Sequence, residues 1–258
     1  MATYLDAILS RHRAEAAADT RSTADLSSRV ASLGPARDFR AALAGSGPSV
    51  IAEVKRRSPS RGDLHPELDP GRLAQQYAAG GAGCISVLTD REGFGGSPED
   101  LRAVRSAVSL PVLRKDFTVS ANDVLDTRLM GADCVLLIVA ALDGGELEHY
   151  HGLAVEAGLA VLVETHDETE VDRAVAVGAD IIGVNQRDLV TFEVDHDRAV
   201  RVGGAIPEGV VKVAESGVRG PGDAARLFAA GFQAVLVGES LVTAEDATSA
   251  VRSLLAPG

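Results

Sequence analysis

The chain has 258 residues, 46% hydrophobic and 24% charged, with a formal net charge of −12. Such a composition suits a folded domain with a sizeable core, and the acidic balance argues against nucleic acid or an anionic membrane as partner. An anionic substrate would need a local cluster of Lys, Arg and backbone N–H groups to overturn that field.

The opening stretch MATYLDAILSRHRAEAAADT has no basic region ahead of an apolar block, so no secretory signal is expected. No run approaches the roughly 18 apolar residues of a membrane helix, and a cytoplasmic location is the default. LDAILSRH and DFRAALAG read as helical, which predicts an extra helical N-terminal segment over residues 1–47.

From there, short runs rich in Val, Ile and Leu recur: SVIAEV (49–54), GCISVLT (83–89), PVLRK (111–115), DCVLLIV (133–139), AVLVET (160–165), DIIGVN (180–185), VVKVAES (210–216) and AVLVGES (234–240). Most are continuously apolar, as parallel strands covered on both faces must be. Helical spacing fills the gaps between them. Leu73, Ala74 and Tyr77 share one face, as do Leu101, Val104 and Val108, the second group after Ser97 as N-cap and Pro98 as first helical residue. Asp167 with Glu170 reads as a capping box. Gly131, Gly158, Gly178 and Gly231 stand where left-handed C-caps are wanted.

Eight such units predict an α/β chain folded as a single (β/α)8 TIM barrel over 48–258, in one domain with its N-terminal extension. Periodicity does not show closure, so a doubly wound open sheet is the alternative, although no strand is followed by a GxGxxG turn. Cys84 and Cys134 each lie inside an apolar run, where buried reduced thiols are expected.

In a barrel, the C-terminal ends of the strands open into the active site. The runs end in groups capable of chemistry: Glu53 and Lys55, Lys115 and Asp116, Glu164, Asn185 and Arg187, Glu215 and Ser216, then Gly238, Glu239 and Ser240. Any one of these alone would more often be a solvated loop residue. Converging on one mouth, two lysines and three glutamates would shift one another's pKa values, as acid–base catalysis requires. Ser216-Gly217 and Gly238-Glu239-Ser240 follow the seventh and eighth strands, where barrels commonly bind phosphate through backbone N–H groups. The loop KRRSPSRG adds Ser58 and Ser60 as hydroxyl donors, while most of Arg56, Arg57 and Arg61 are expected to be solvated.

Taken in order, IAEVKRRSPSRG, LRKDF, LLIV, VET, GVNQRDL, VAESGV and LVGESL resemble the indole-3-glycerol-phosphate synthases, over roughly residues 48 to 242. LDAILSRHRAE is similar to that family's N-terminal helix. The resemblance implies a lyase of tryptophan biosynthesis that closes the indole ring of 1-(2-carboxyphenylamino)-1-deoxyribulose 5-phosphate, with loss of CO2 and water. It implies no metal and no organic cofactor. It also implies roles: Lys115 as general acid at the ketone oxygen, Glu164 as acid–base partner in dehydration, and Lys55 on the substrate's carboxylate or phosphate. Glu53, Asn185 and Glu215 would orient these groups, with Arg187 at the carboxylate. Phe94, Phe117, Leu136, Leu189 and Leu236 would wall the anthranilate ring. One departure is visible: TDREGFGGS places Gly93 beside Phe94, where the family often has adjacent aromatics.

His149 and His151, two apart on a helix, do not face each other and make no metal site. The partner expected is a phosphorylated small molecule, with the chain a monomer or weak oligomer that could still meet a pathway enzyme. The competing readings are a Schiff-base aldolase barrel, a sugar-phosphate isomerase and a non-catalytic phosphate-binding barrel.

Overall fold

The computed structural model describes residues 4–45, 47–59, 61–188 and 190–256. Eight parallel strands close into a barrel: β1 (Ser49–Val54), β2 (Cys84–Leu88), β3 (Val112–Lys115), β4 (Cys134–Ile138), β5 (Ala160–Thr165), β6 (Ile181–Asn185), β7 (Val211–Glu215) and β8 (Ala234–Val237). Closure rules out the open-sheet alternative. Almost every strand residue is buried, which is why the runs read as continuously apolar.

Three helices precede the barrel: α1 (Tyr4–Ala18), α2 (Thr23–Ala31) and α3 (Phe39–Leu43). Within it, α4 (Pro70–Gly80), short α5 (Arg91–Phe94), α6 (Pro98–Ala107), α7 (Ala121–Met130), α8 (Gly144–Glu156) and α9 (Glu168–Ala176) follow in turn. The outer ring is completed by α10 (Arg198–Gly203), α11 (Pro221–Ala229), short α12 (Glu239–Val242) and α13 (Ala247–Leu255). A two-stranded hairpin, Arg57–Ser58 with Gly62–Asp63, rises from the loop after β1. Among the described residues, no helix is long and apolar enough to cross a membrane.

Local chemistry accounts for the boundaries. Ser97 accepts from the Asp100 N–H with Pro98 at the first helical position, and the four expected C-cap glycines have φ between 74° and 98°. Two expectations need correction. The eighth run stops as a strand at Val237, and Glu239 already belongs to α12. The Asp167–Glu170 box closes on one side only: Asp167 accepts from the Glu170 N–H, but the Glu170 carboxylate turns back to the His166 N–H at 2.8 Å. The reciprocal box occurs instead at α8, between Asp143 and Glu146.

Helix α2 was not anticipated, although Ser22 caps it and Leu26 and Val30 pack with Leu125 of α7 at helical spacing. Helix α1 lies against the barrel mouth, pinned by charge. Arg11 and His12 reach the fully buried Asp90 side chain at the end of β2, and Arg13 pairs with Glu146 at 2.6 Å. At the other end of the barrel, the Arg37 N–H donates to buried Asp133 at 2.7 Å.

Strand pairing fixes which side chains share a level inside the barrel. Glu53 pairs with Ser86, Ser86 with Leu113, and Lys115 lies two residues on. Glu164 pairs with Gly183, Gly183 with Val213, and Glu215 again lies two on. Glu215 pairs with Leu236 and Leu236 with Ile51, so two further residues return to Glu53. Glu53, Lys115, Glu164 and Glu215 therefore form one layer, contributed by β1, β3, β5 and β7. Barrels normally fill such layers with branched apolar residues. Here the layer beneath the mouth is three carboxylates and one ammonium.

Candidate active site

Above this layer lies a cavity of about 550 Å3, within the range of small-molecule sites. Leu88, Ile138 and Asn185, from even-numbered strands, and Gly238, just past the end of β8, line it at the next level. Every expected site residue that the structure describes borders the cavity: Glu53, Lys55, Ser58, Phe94, Lys115, Phe117, Leu136, Glu164, Asn185, Arg187, Glu215, Ser216, Gly217, Leu236, Gly238, Glu239 and Ser240. Leu189 and Ser60 lie outside the described residues.

The Lys115 ammonium donates to Glu164 Oε2 at 2.8 Å and stands 3.4 Å from Glu215 Oε2. Burial alone would lower its pKa, but the charges of Glu164, Glu215 and Glu53 outweigh burial and raise it. A Schiff-base lysine needs the opposite shift, so this environment disfavours the aldolase reading.

The two glutamates beside Lys115 differ. Burial would lift Glu164, yet Lys115, His166 and the Asn185 amide hold it below the ordinary carboxylate range. Burial dominates at Glu215, aided by the neighbouring Glu164 charge, and its pKa rises despite Lys115. Neither Glu215 oxygen accepts an aligned hydrogen bond from a described residue. Two carboxyls pushed apart around one lysine form an acid–base set.

Small residues make room for this set. A Cβ on Gly183 would stand 2.1 Å from Glu215 Oε1, and one on Gly238 would stand 2.3 Å from Glu53 Oε1 and 3.0 Å from Lys55 Nζ. Lys55 meets Glu53 at 2.6 Å. The Asn185 amide is fixed at both ends: Oδ1 accepts from the Arg187 N–H at 3.0 Å, and Nδ2 donates to Glu164 Oε1 at 2.9 Å. Arg187 in turn donates to the Phe192 carbonyl at 2.9 Å.

At the adjoining end of β7, Ser216 and Gly217 turn the chain through two consecutive left-handed residues, φ 64° and 73°. A non-glycine residue there costs on the order of 1–3 kcal/mol and is held by its surroundings; the Gln186 amide clamps the Ser216 carbonyl at 2.7 Å. The Glu239 carboxylate pairs with Arg61 at 3.1 Å, and Ser240 Oγ donates to the Val218 carbonyl at 3.0 Å. Arg57 and Arg61 are exposed, as expected, but Arg56 is half-buried on Asp100.

Sequence reasoning missed the wall supplied by α1, where Tyr4, Leu5 and Ile8 border the cavity. Phe117 packs near Phe94, ring centroids 6.4 Å apart, and Tyr4 meets Phe192 edge-on at 5.1 Å. The Gly93 departure has a local cause: a Cβ there would stand 2.8 Å from Asp90 Oδ2 and 3.3 Å from the Tyr4 hydroxyl. His12, Asp90 and Asp116 also lie within metal-binding reach of one another. Arg11 already occupies Asp90, and Arg114 and Thr89 occupy Asp116, so the cluster is an ion-pair network under α1.

Comparison with known proteins assigns the chain to a family. The family model for indole-3-glycerol phosphate synthase matches residues 5–254. An indole-3-glycerol phosphate synthase of a Nocardioides species is 54% identical over 233 residues, covering 90% of each chain. That of Mycolicibacterium gilvum is 49% identical over 259 residues, covering 100% of this chain and 95% of the relative. Among solved structures, an N-acetylmannosamine-6-phosphate 2-epimerase from Clostridium perfringens superposes with a TM-score of 0.63 at 13% identity, covering 81% of this chain and 93% of that one, a likeness of fold. The chain belongs to the indole-3-glycerol phosphate synthase family.

Proposed function

We propose that Lys115 and Glu164 carry the proton transfers of the reaction this enzyme catalyses. That reaction is the ring closure, decarboxylation and dehydration of 1-(2-carboxyphenylamino)-1-deoxyribulose 5-phosphate to indole-3-glycerol phosphate. The observation behind the assignment is the Lys115 ammonium held between Glu164 and Glu215 in a buried layer facing the cavity.

Lys115 donates to the ketone oxygen as the aromatic carbon attacks, since the carbonyl is otherwise a poor electrophile. Such assistance contributes ~10²–10⁴-fold. Loss of CO2 restores the aromatic ring. Glu164 then takes the proton from the sugar-derived CH2 as the hydroxyl leaves as water. Asn185 aims Glu164, and Glu215, with its raised pKa, tunes Lys115. Lys55, on Glu53, and Arg187 receive the substrate carboxylate. Phe94, Phe117, Leu136 and Leu236 wall the ring, and Leu189 is assigned there by the family resemblance.

The phosphate takes the Ser216–Gly217 turn and the backbone of Gly238, Glu239 and Ser240, with Ser58 from the neighbouring loop after β1. The Glu239 side chain is committed to Arg61, so its contribution there is its N–H. Lys115→Met tests the central role. Turnover should fall ~10²–10⁴-fold with KM within a few-fold of the parent. Near-normal turnover would sink the assignment.

A further inference from the structure

The reaction consumes a proton that the substrate does not supply. One C–C bond forms at the ketone carbon, whose oxygen takes a proton. The C–carboxylate bond breaks, its electron pair restores the aromatic ring, and CO2 departs without a proton. In the dehydration, the second proton on the leaving water is balanced by the one lost from the CH2. Each turnover of an ionised substrate therefore draws one proton from solvent, and Lys115 is left neutral until it arrives.

We infer that His166 is the entry for that proton, passing it from Glu170 at the surface to Glu164 and so to Lys115; this rests on the acid–base roles proposed above. The contacts form a continuous line. Glu170 Oε2 lies 3.1 Å from His166 Nδ1 and also accepts the His166 N–H at 2.8 Å. His166 Nε2 lies 3.5 Å from Glu164 Oε1 and is a buried nitrogen with no other partner among the described residues. Glu164 Oε2 lies 2.8 Å from Lys115 Nζ.

Exposure falls inward along the line, with side chains 16% accessible at Glu170, 13% at His166 and 1% at Glu164. His166 does not border the cavity, so it acts through Glu164 as a positioning and proton-exchanging residue. The charged groups facing it are Glu164 from β5, Glu170 from α9 and Arg198 from α10. The two carboxylates favour the imidazolium, and Arg198 and burial oppose it. An imidazolium gives its Nε2 proton to Glu164, whose carboxyl turns and gives a proton to the Lys115 amine. The imidazole left behind keeps its Nδ1 proton, so the ring turns to bring its bare Nε2 outward and takes a proton there from Glu170 or from water. No proton is gained or lost except from solvent.

The test is steady-state turnover from pH 6 to 9, in H2O and D2O, for the parent enzyme, His166→Ala, His166→Gln, Glu170→Gln and Glu164→Gln. His166→Ala should lower kcat by roughly tenfold, less than the ~10²–10⁴-fold expected for losing an acid or base itself. KM should stay within twofold, the loss should grow with pH, and the solvent isotope effect should rise. Added imidazole should restore kcat several-fold. His166→Gln, which keeps the side-chain bulk, should show the same slowed, pH-steepened turnover without rescue. Glu170→Gln should add little on top of His166→Ala. Parent-like kcat and isotope effect in both His166 variants would overturn the relay. So would a loss that is uniform in pH and unmoved by imidazole, which would make His166 a packing residue. Full turnover in Glu164→Gln would bring down the underlying acid–base assignment as well, whereas an inactive Glu164→Gln beside unaffected His166 variants would fault the relay alone.

Discussion

Gly183→Ala perturbs the buried layer of Glu53, Lys115, Glu164 and Glu215 without replacing a charged residue. The backbone there is ordinary β6, paired on one side with β5 and on the other with β7. An added methyl would stand 2.1 Å from Glu215 Oε1, 3.1 Å from Glu215 Cδ and 3.2 Å from Leu162 Cδ1. Ordinary contact begins near 3.4 Å, so the carboxylate oxygen must retreat by more than an ångström. The strands on either side resist moving, so Glu215 gives way and its 3.4 Å contact with Lys115 is lost or remade.

Overpacking of this kind costs ~1–3 kcal/mol. For a chain of this size that lowers Tm by roughly 2–12 °C. A misplacement of about 1 Å can cost ~10²-fold in turnover, and kcat should fall by that order. The assays are thermal unfolding and initial rates. Gly152→Ala is the control: nothing lies within 4 Å of a Cβ there, inside α8, and it should raise stability by ~0.5–1 kcal/mol. In the double variant Gly183→Ala with Glu215→Asp, the shorter side chain should recover Tm and leave kcat low. A Gly183→Ala enzyme with parental Tm and kcat would refute the claim that Glu215 fills the space this glycine leaves.

Two other perturbations have definite signs. Asp90→Asn removes the charge that holds Arg11 and His12; Arg11 is partly exposed and keeps Glu15 and Glu92, so the loss should be ~1–3 kcal/mol. KM should rise and amide exchange in α1 should quicken, while unchanged exchange would detach α1 from Asp90. For Glu215, the raised folded pKa means that ionisation is resisted in the native state. Its contribution to stability is therefore intact below the unfolded value, ~4.3, and is lost as pH rises toward the raised folded one. Glu164 has the opposite sign, stabilising above the unfolded value and losing that as pH falls through its lowered one. Glu215→Gln should thus gain on the parent in urea unfolding between pH 5 and 8; a constant difference would contradict the shift.

Much of the barrel was legible because its strands announce themselves locally. An apolar run buried on both faces, ended by a charged residue, needs no knowledge of its neighbours. Glu53, Lys115, Glu164 and Glu215 could be found at the strand ends for that reason. Their membership of one layer could not, because it depends on pairing register around the closed barrel. The eighth run read three residues too far since Gly238-Glu239-Ser240 has no local signal separating strand end from helix start. Helix α1 as a wall of the cavity, and the contact of Tyr4 with Phe192, join residues far apart in sequence and left no periodic trace. His166 was hidden for a related reason. Its meaning lies in a glutamate that caps one residue earlier than the usual box.

The most direct measurement is to add 1-(2-carboxyphenylamino)-1-deoxyribulose 5-phosphate to the purified enzyme and follow indole fluorescence, which meets no tryptophan background because the chain has no Trp. A time-dependent rise, absent in Lys115→Met, is the predicted result. A substrate that binds with no rise in the parent enzyme would contradict the account at its centre.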